Sequence, residues 1–133
     1  MVKFNTRSTK IGAEKSFFVK AEDFLESAKE AVNDHSNASA ALAVHAVISA
    51  CDAICAKFLQ RRHAGSDHMQ AVEMLNELPI DKDEVKPKVR QASRVLSKKN
   101  LAEYEDRIIG SEEALSMIKD AERFLAWVRT KIE

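Results

Sequence analysis

Three groups of residues in this chain of 133 have the types and spacings that chemistry uses. The first lies on a nearly unbroken apolar run, Ala40 to Leu59, where His45, Ser49 and Asp52 interrupt the small and aliphatic residues at intervals of four and three. At ~3.6 residues per turn, the three share one helix face. Burying such groups costs on the order of a few kcal/mol each unless they are hydrogen-bonded. The stripe is therefore either a satisfied core network, with Tyr104 or an arginine as partner, or a polar cleft or dimer seam that meets a ligand or another subunit. A metal site built from His45 and Asp52 is disfavoured, because one helix supplies too few ligands. The second group is the turn Arg61-Arg62-His63-Ala64-Gly65-Ser66-Asp67-His68, the residues least easily explained by folding alone.

The third group is a basic face. Lys86, Arg90, Arg94 and Lys98 recur at intervals of four, with Lys82, Lys88 and Lys99 nearby and only Asp83 and Glu84 against them. Several such charges together can hold phosphates with salt-dependent affinity. No aromatic residues interleave to stack bases, as single-strand binders use them. A solvated face, partly balanced by Glu103, Glu105 and Asp106, is the plainer explanation. Cys51 and Cys55, four apart in the apolar run, read as buried, reduced thiols rather than a disulfide or metal pair. No phosphate loop, nucleophile elbow or zinc-binding spacing occurs. No metal and no cofactor is expected.

These groups need elements to position them, and the apolar spacing predicts helices throughout. The first spans Glu14 to Asn33, with Phe17, Phe18, Ala21, Phe24, Leu25 and Ala28 on one stripe. Residues 1–13 lack periodicity and are expected to form a flexible arm ahead of one helical domain over 14–133. A second helix runs from Ala38 to Arg62, a third from His68 to Leu78 and a fourth from about Pro87 to Lys99. Pro87 is tolerated in a first turn. A last helix opens at Ser111-Glu112-Glu113, where acidic residues suit the positive end of the helix dipole. No strand pattern appears. The fold expected is all-α, an up-and-down bundle of four to five helices.

Composition narrows the function classes. The 21 basic and 21 acidic residues cancel, so no global field draws the chain to nucleic acid or membrane. The apolar run is as long as a membrane span, yet His45, Asp52 and Lys57 interrupt it, which fits a core helix better. The first residues have no apolar run like a signal peptide, and the protein is expected to be cytoplasmic.

With the helices placed, the chain resembles the HEPN superfamily of small helical bundles. The resemblance covers residues 15 to 132. It rests on Ala-Glu-Asp-Phe-Leu (21–25), Ala-Val-His-Ala-Val-Ile-Ser-Ala (43–50), Gly-Ser-Asp-His (65–68), Ala-Glu-Tyr-Glu-Asp-Arg (102–107) and a long final helix ending Phe-Leu-Ala-Trp-Val (124–128). Such domains commonly pair through their long helices, and many act with RNA or nucleotides. Active members are similar to metal-independent endoribonucleases that use an arginine and a histidine separated by four to six residues. Others are binding modules beside a nucleotidyltransferase, often in toxin–antitoxin pairs.

Arg62 and His68 meet that spacing, and so do Arg61 and His68. A histidine there would shuttle the 2′-hydroxyl proton while an arginine clamps the phosphate, with His45 or Asp52 orienting the histidine. In active members, however, the pair lies around the penultimate helix, and residues 94–111 contain no histidine. Tyr104 and Arg107 match a late Tyr/Arg pattern and would anchor a loop onto the bundle. The reading that follows is a non-catalytic module that dimerises and binds RNA, nucleotide or a partner protein, using His45, Ser49, Asp52, Arg61, Lys86, Arg90, Arg94 and Lys98. An endoribonuclease built on Arg62 and His68, and a helical adaptor with no nucleic-acid role, are the alternatives.

Overall fold

A computed structural model describes residues 4–133. Four long helices form the bundle: α1 (Ala13–Ala31), α2 (Ser36–Leu59), α4 (Lys82–Tyr104) and α5 (Ser111–Ile132). A short α3 (Met69–Glu73) continues into a 3₁₀ turn, Met74–Glu77, and two three-residue strands, β1 (Thr6–Ser8) and β2 (Arg61–His63), complete the order. The all-α bundle read from the apolar spacing is the fold.

The most extensive packing joins α1 to α2. Small residues make this possible. Ala21 and Ala28 on α1 and Ser39, Ala43, Ala46 and Ala50 on α2 are completely buried. Ser39 Oγ donates to the Ala28 carbonyl at 2.7 Å, a bond between helix surfaces that only small side chains permit. Phe24 against His45 and Phe17 against Arg62 show the two helices running antiparallel. On its other side α2 packs against α5 and, less extensively, α4. Phe124, Met117 and Val128 of α5 fill that core. Trp127 stacks 5.9 Å from Phe124 and donates its indole N–H to Glu84 at 2.8 Å.

The element ends differ from the sequence expectation, each for a local reason. Helix α2 stops at Leu59 rather than Arg62, because Gln60 turns into the left-handed region (φ 53°) while its N–H still donates to Ala56. Arg61–His63 then leave as β2 and pair antiparallel with Thr6–Ser8, Arg7 opposite Arg62. The stretch before α1, expected as a flexible arm, thus carries a strand in its described part. Helix α4 begins at Lys82, not near Pro87. Asp81 caps it by accepting the Asp83 N–H at 2.8 Å, and Pro87 falls in the second turn. It also runs past Lys99 to Tyr104, where Asp106 (φ 56°) closes it and the N–H groups of Asp106 and Arg107 return to Glu103 and Ala102.

Candidate functional site

Helix α2 is long and apolar enough to cross a membrane by length and composition, but 61% of its most apolar window is buried within the bundle. One face stays open. Ala38, Ala41, Leu42, His45, Ile48, Ser49 and Asp52 are exposed or half-buried, at the spacing of a single helical stripe. The polar groups read from the sequence therefore do not form a core network. His45 is exposed, Ser49 and Asp52 are half-buried, and Tyr104 is 89% exposed at the far end of α4. The stripe is an open face instead, mixing these polar groups with Ala38, Ala41, Leu42 and Ile48.

Midway along this stripe, His45 lies 5.4 Å from the Phe24 ring and edge-on to His68 at 6.5 Å. These two histidines share a cleft of ≈ 330 Å³ with Asp67, Met69, Lys99 and Asn100. The loop holding His68 is shaped by Asp67, whose carboxylate accepts the Met69 N–H at 3.1 Å. Partial burial lowers the His45 pKa, and electrostatic repulsion from the neighbouring His68 and Lys99 side chains lowers it further. His45 is therefore neutral at physiological pH and available as a hydrogen-bond acceptor or donor.

At the Asp52 end of the stripe is Arg62. Its guanidinium sits 5.8 Å from the centre of the Phe17 ring and donates to the His63 carbonyl at 3.1 Å. Burial pushes the Asp52 carboxyl up to about 7, against the pull of Arg62 and Lys20. Asp52 is thus close to half-ionised at neutral pH. Arg62 and His68 border the same stripe but do not meet. The α2 residues beside them, Asp52 and His45, are two turns apart, about 10 Å of helical rise. The orienting pair is split in the same way, with His45 beside His68 and Asp52 beside Arg62.

The remaining predicted residues divide. Arg61 is ion-paired with Glu77 of the 3₁₀ turn. On α4, Arg94 reaches Asp120 of α5 with two nitrogens, at 3.1 and 3.4 Å, and Lys98 donates to Ser116 at 3.1 Å. Lys86 and Arg90 are exposed and make no ion pair among the described residues. The basic face is therefore half spent on joining α4 to α5. Arg107 does tie its loop down, through Glu113 and Glu105, whereas Tyr104 projects into solvent. Cys51 and Cys55 are buried and free, and burial raises both thiol pKa values, that of Cys55 to about 12. Neither is a nucleophile near neutral pH. No three His, Cys, Asp or Glu side chains converge in metal-holding geometry among the described residues.

Sequence reasoning missed Lys20 and Phe17 as neighbours of Arg62. Phe17 reads as a core residue and Lys20 as part of a solvated face. Their separation of three on α1 is a signal that they share an edge, but only β2 shows what that edge faces. His63, another turn residue, is buried and bonds to Gln70 at 3.2 Å.

A family model described as the HEPN domain matches residues 15–131, from the start of α1 to the end of α5. The chain belongs to the HEPN domain family. No curated protein and no solved structure matches it.

Proposed function

We propose that this chain is a non-catalytic HEPN module that self-associates along the open face of α2 and holds RNA or a nucleotide in the adjoining cleft. The observation that carries the reading is the divided stripe. Arg62 lies beside Asp52 and His68 beside His45, two helical turns apart on α2, instead of converging on one phosphodiester, while His45, His68 and Lys99 line one accessible cleft. A general acid–base and its phosphate clamp must both lie within hydrogen-bond reach of the reacting group. Lys86 and Arg90 supply a second, peripheral cationic surface. A cytoplasmic setting, and a nucleotidyltransferase partner in a toxin–antitoxin pair, belong to the same proposal.

The endoribonuclease reading keeps one supporting observation, that His68 stands beside a second, neutral histidine in a cleft open to solvent. One experiment separates the two. Purified protein and His68→Ala are incubated with mixed-sequence RNA in EDTA, with cleavage and retention followed together. Retention of intact RNA, weakened by salt and by neutralising Lys86 and Arg90, supports the binding module. Cleavage by the wild type that the variant lacks replaces it with a metal-independent ribonuclease. Neither retention nor cleavage leaves the helical adaptor.

A further inference from the structure

The turn between β1 and α1 holds an isoleucine clear of the protein. The Ala13 N–H donates to the Lys10 carbonyl at 3.0 Å, closing a turn with Ile11 and Gly12 at its corners. Gly12 has φ 89° and ψ −3°, the left-handed geometry of a type II turn that glycine adopts freely. Ile11 is fully exposed, more so than any other large apolar residue among those described. Lys15 and Val19, four apart near the start of α1, share an exposed face of that helix. One apolar side chain in water is ordinary on a protein surface. The charges around Ile11 are not.

Residues 4–20 carry Arg7, Lys10, Lys15 and Lys20 against one acid, Glu14, which is buried. The four cations are exposed, and none makes an ion pair among the described residues. Lys10, Lys20 and Arg62 join Ile11 and Phe17 around a shallow cavity of ≈ 440 Å³ beside the turn. Acids nearby are few. Glu133 shares a groove with Lys15, and Asp52, beside Arg62 and Lys20, is kept partly protonated by burial. The exposed apolar side chains Leu101, Tyr104 and Ile108 have the opposite setting, interspersed with Glu103, Glu105 and Asp106. The two corners lie at opposite ends of α2. Ser36 donates to the Ile109 carbonyl at one end, and the Thr9 N–H donates to the Gln60 carbonyl at the other. About 35 Å of helical rise separates them, several times the ~8 Å over which physiological salt screens charge. The chain's overall neutrality therefore does not cancel the positive corner.

We propose that the β1–α1 turn is a reversible docking site for an anionic lipid surface, with Ile11 inserted among the headgroups and Lys10, Lys15 and Lys20 held against them. Such a surface uses both features at once, since the headgroup charge attracts the cations and the acyl boundary takes the isoleucine. A purely polar anion would leave Ile11 in water, and an apolar protein groove would leave the lysines without counter-charge. One inserted side chain and a few cations give a contact that forms and breaks, not a permanent anchor. The site stands on its own residues and does not require RNA retention by the α2 cleft.

Co-sedimentation of the full chain with vesicles tests it, using phosphatidylcholine alone and phosphatidylcholine mixed equally with phosphatidylglycerol. Binding is expected to the mixed vesicles only, and to weaken as salt is added. Lys10→Gln should weaken it about fivefold, the scale of one basic residue at such a surface. Ile11→Ser should weaken it about tenfold, while Ile11→Leu keeps it. Ile108→Ser, at the acidic corner, leaves it unchanged. These side chains are exposed, so the melting temperature stays that of wild type. Ile11→Trp gives a direct readout of insertion. Its indole emission shifts to the blue on mixed vesicles, a change the wild type lacks because Trp127 is buried. Absence of binding, equal binding to both kinds of vesicle, or binding that Ile11→Ser leaves unchanged overturns the proposal.

Discussion

At the scale of single residues, Asp52 and His45 bias stability with pH in opposite senses. The folded state raises the Asp52 pKa from 3.8 to about 7, so folding favours its protonated form. The associated stability is complete below pH ~4 and is lost as pH rises through 7. Each pH unit of difference between folded and unfolded pKa is worth about 1.4 kcal/mol, less where solvent reaches the carboxyl. We expect Asp52→Asn to be more stable than wild type at pH 8 by roughly 1–3 kcal/mol and nearly equal to it at pH 4. Melting curves at the two pH values check this, and an equal gap at both would assign the effect elsewhere. His45 runs the other way. Its lowered pKa means that stability is lost as pH falls through its unfolded value near 6.5. His45→Gln should therefore flatten the decline between pH 7 and 5.

At the scale of elements, the close approach of α1 and α2 around Ala28 and Ser39 depends on small side chains. Ala28→Leu puts a branched side chain where none fits, and we expect a loss of about 1–3 kcal/mol in chemical denaturation, with helix content retained. Ser39→Ala removes the bond to the Ala28 carbonyl and should cost about 1 kcal/mol. At the start of α4, Asp81→Ala removes a cap and should cost about 0.5–2 kcal/mol. The helices themselves were legible in the sequence because apolar residues recur along them at helical spacing, as α5 shows through Ile118, Ala121, Leu125 and Val128. Strands β1 and β2 were not. Three residues are too few for an alternating pattern, and their pairing depends on a partner far along the chain. The candidate sites were half legible for the same reason. The shared face of His45, Ser49 and Asp52 follows from spacing on one helix, whereas the meeting of Lys20, Phe17 and Arg62 depends on how three elements dock.

At the scale of the whole molecule, a balanced net charge hides an uneven distribution. Several ion pairs join helices, such as Arg94 with Asp120 and Lys131 with Glu84, while Lys86, Arg90 and the cations around Phe17 make none among the described residues. Self-association through the open face of α2 should respond to charge placed on that stripe. Light scattering after size exclusion is expected to report a dimer for wild type and a monomer for Ser49→Glu, with unchanged circular dichroism. A dimer that survives the substitution would place the contact elsewhere. The β1–β2 pairing also sets an order of events. Residues 6–8 leave the ribosome before residues 61–63, yet cannot settle until those have followed them. Loop closure of that span costs entropy that local helix formation does not. The α1–α2 hairpin can therefore form early, from neighbours in sequence, while the cavity around Arg62 is assembled only once residues 6–8 have been stitched back onto β2. A newly made protein would pass through a stage in which the bundle core is built and that cavity is still open.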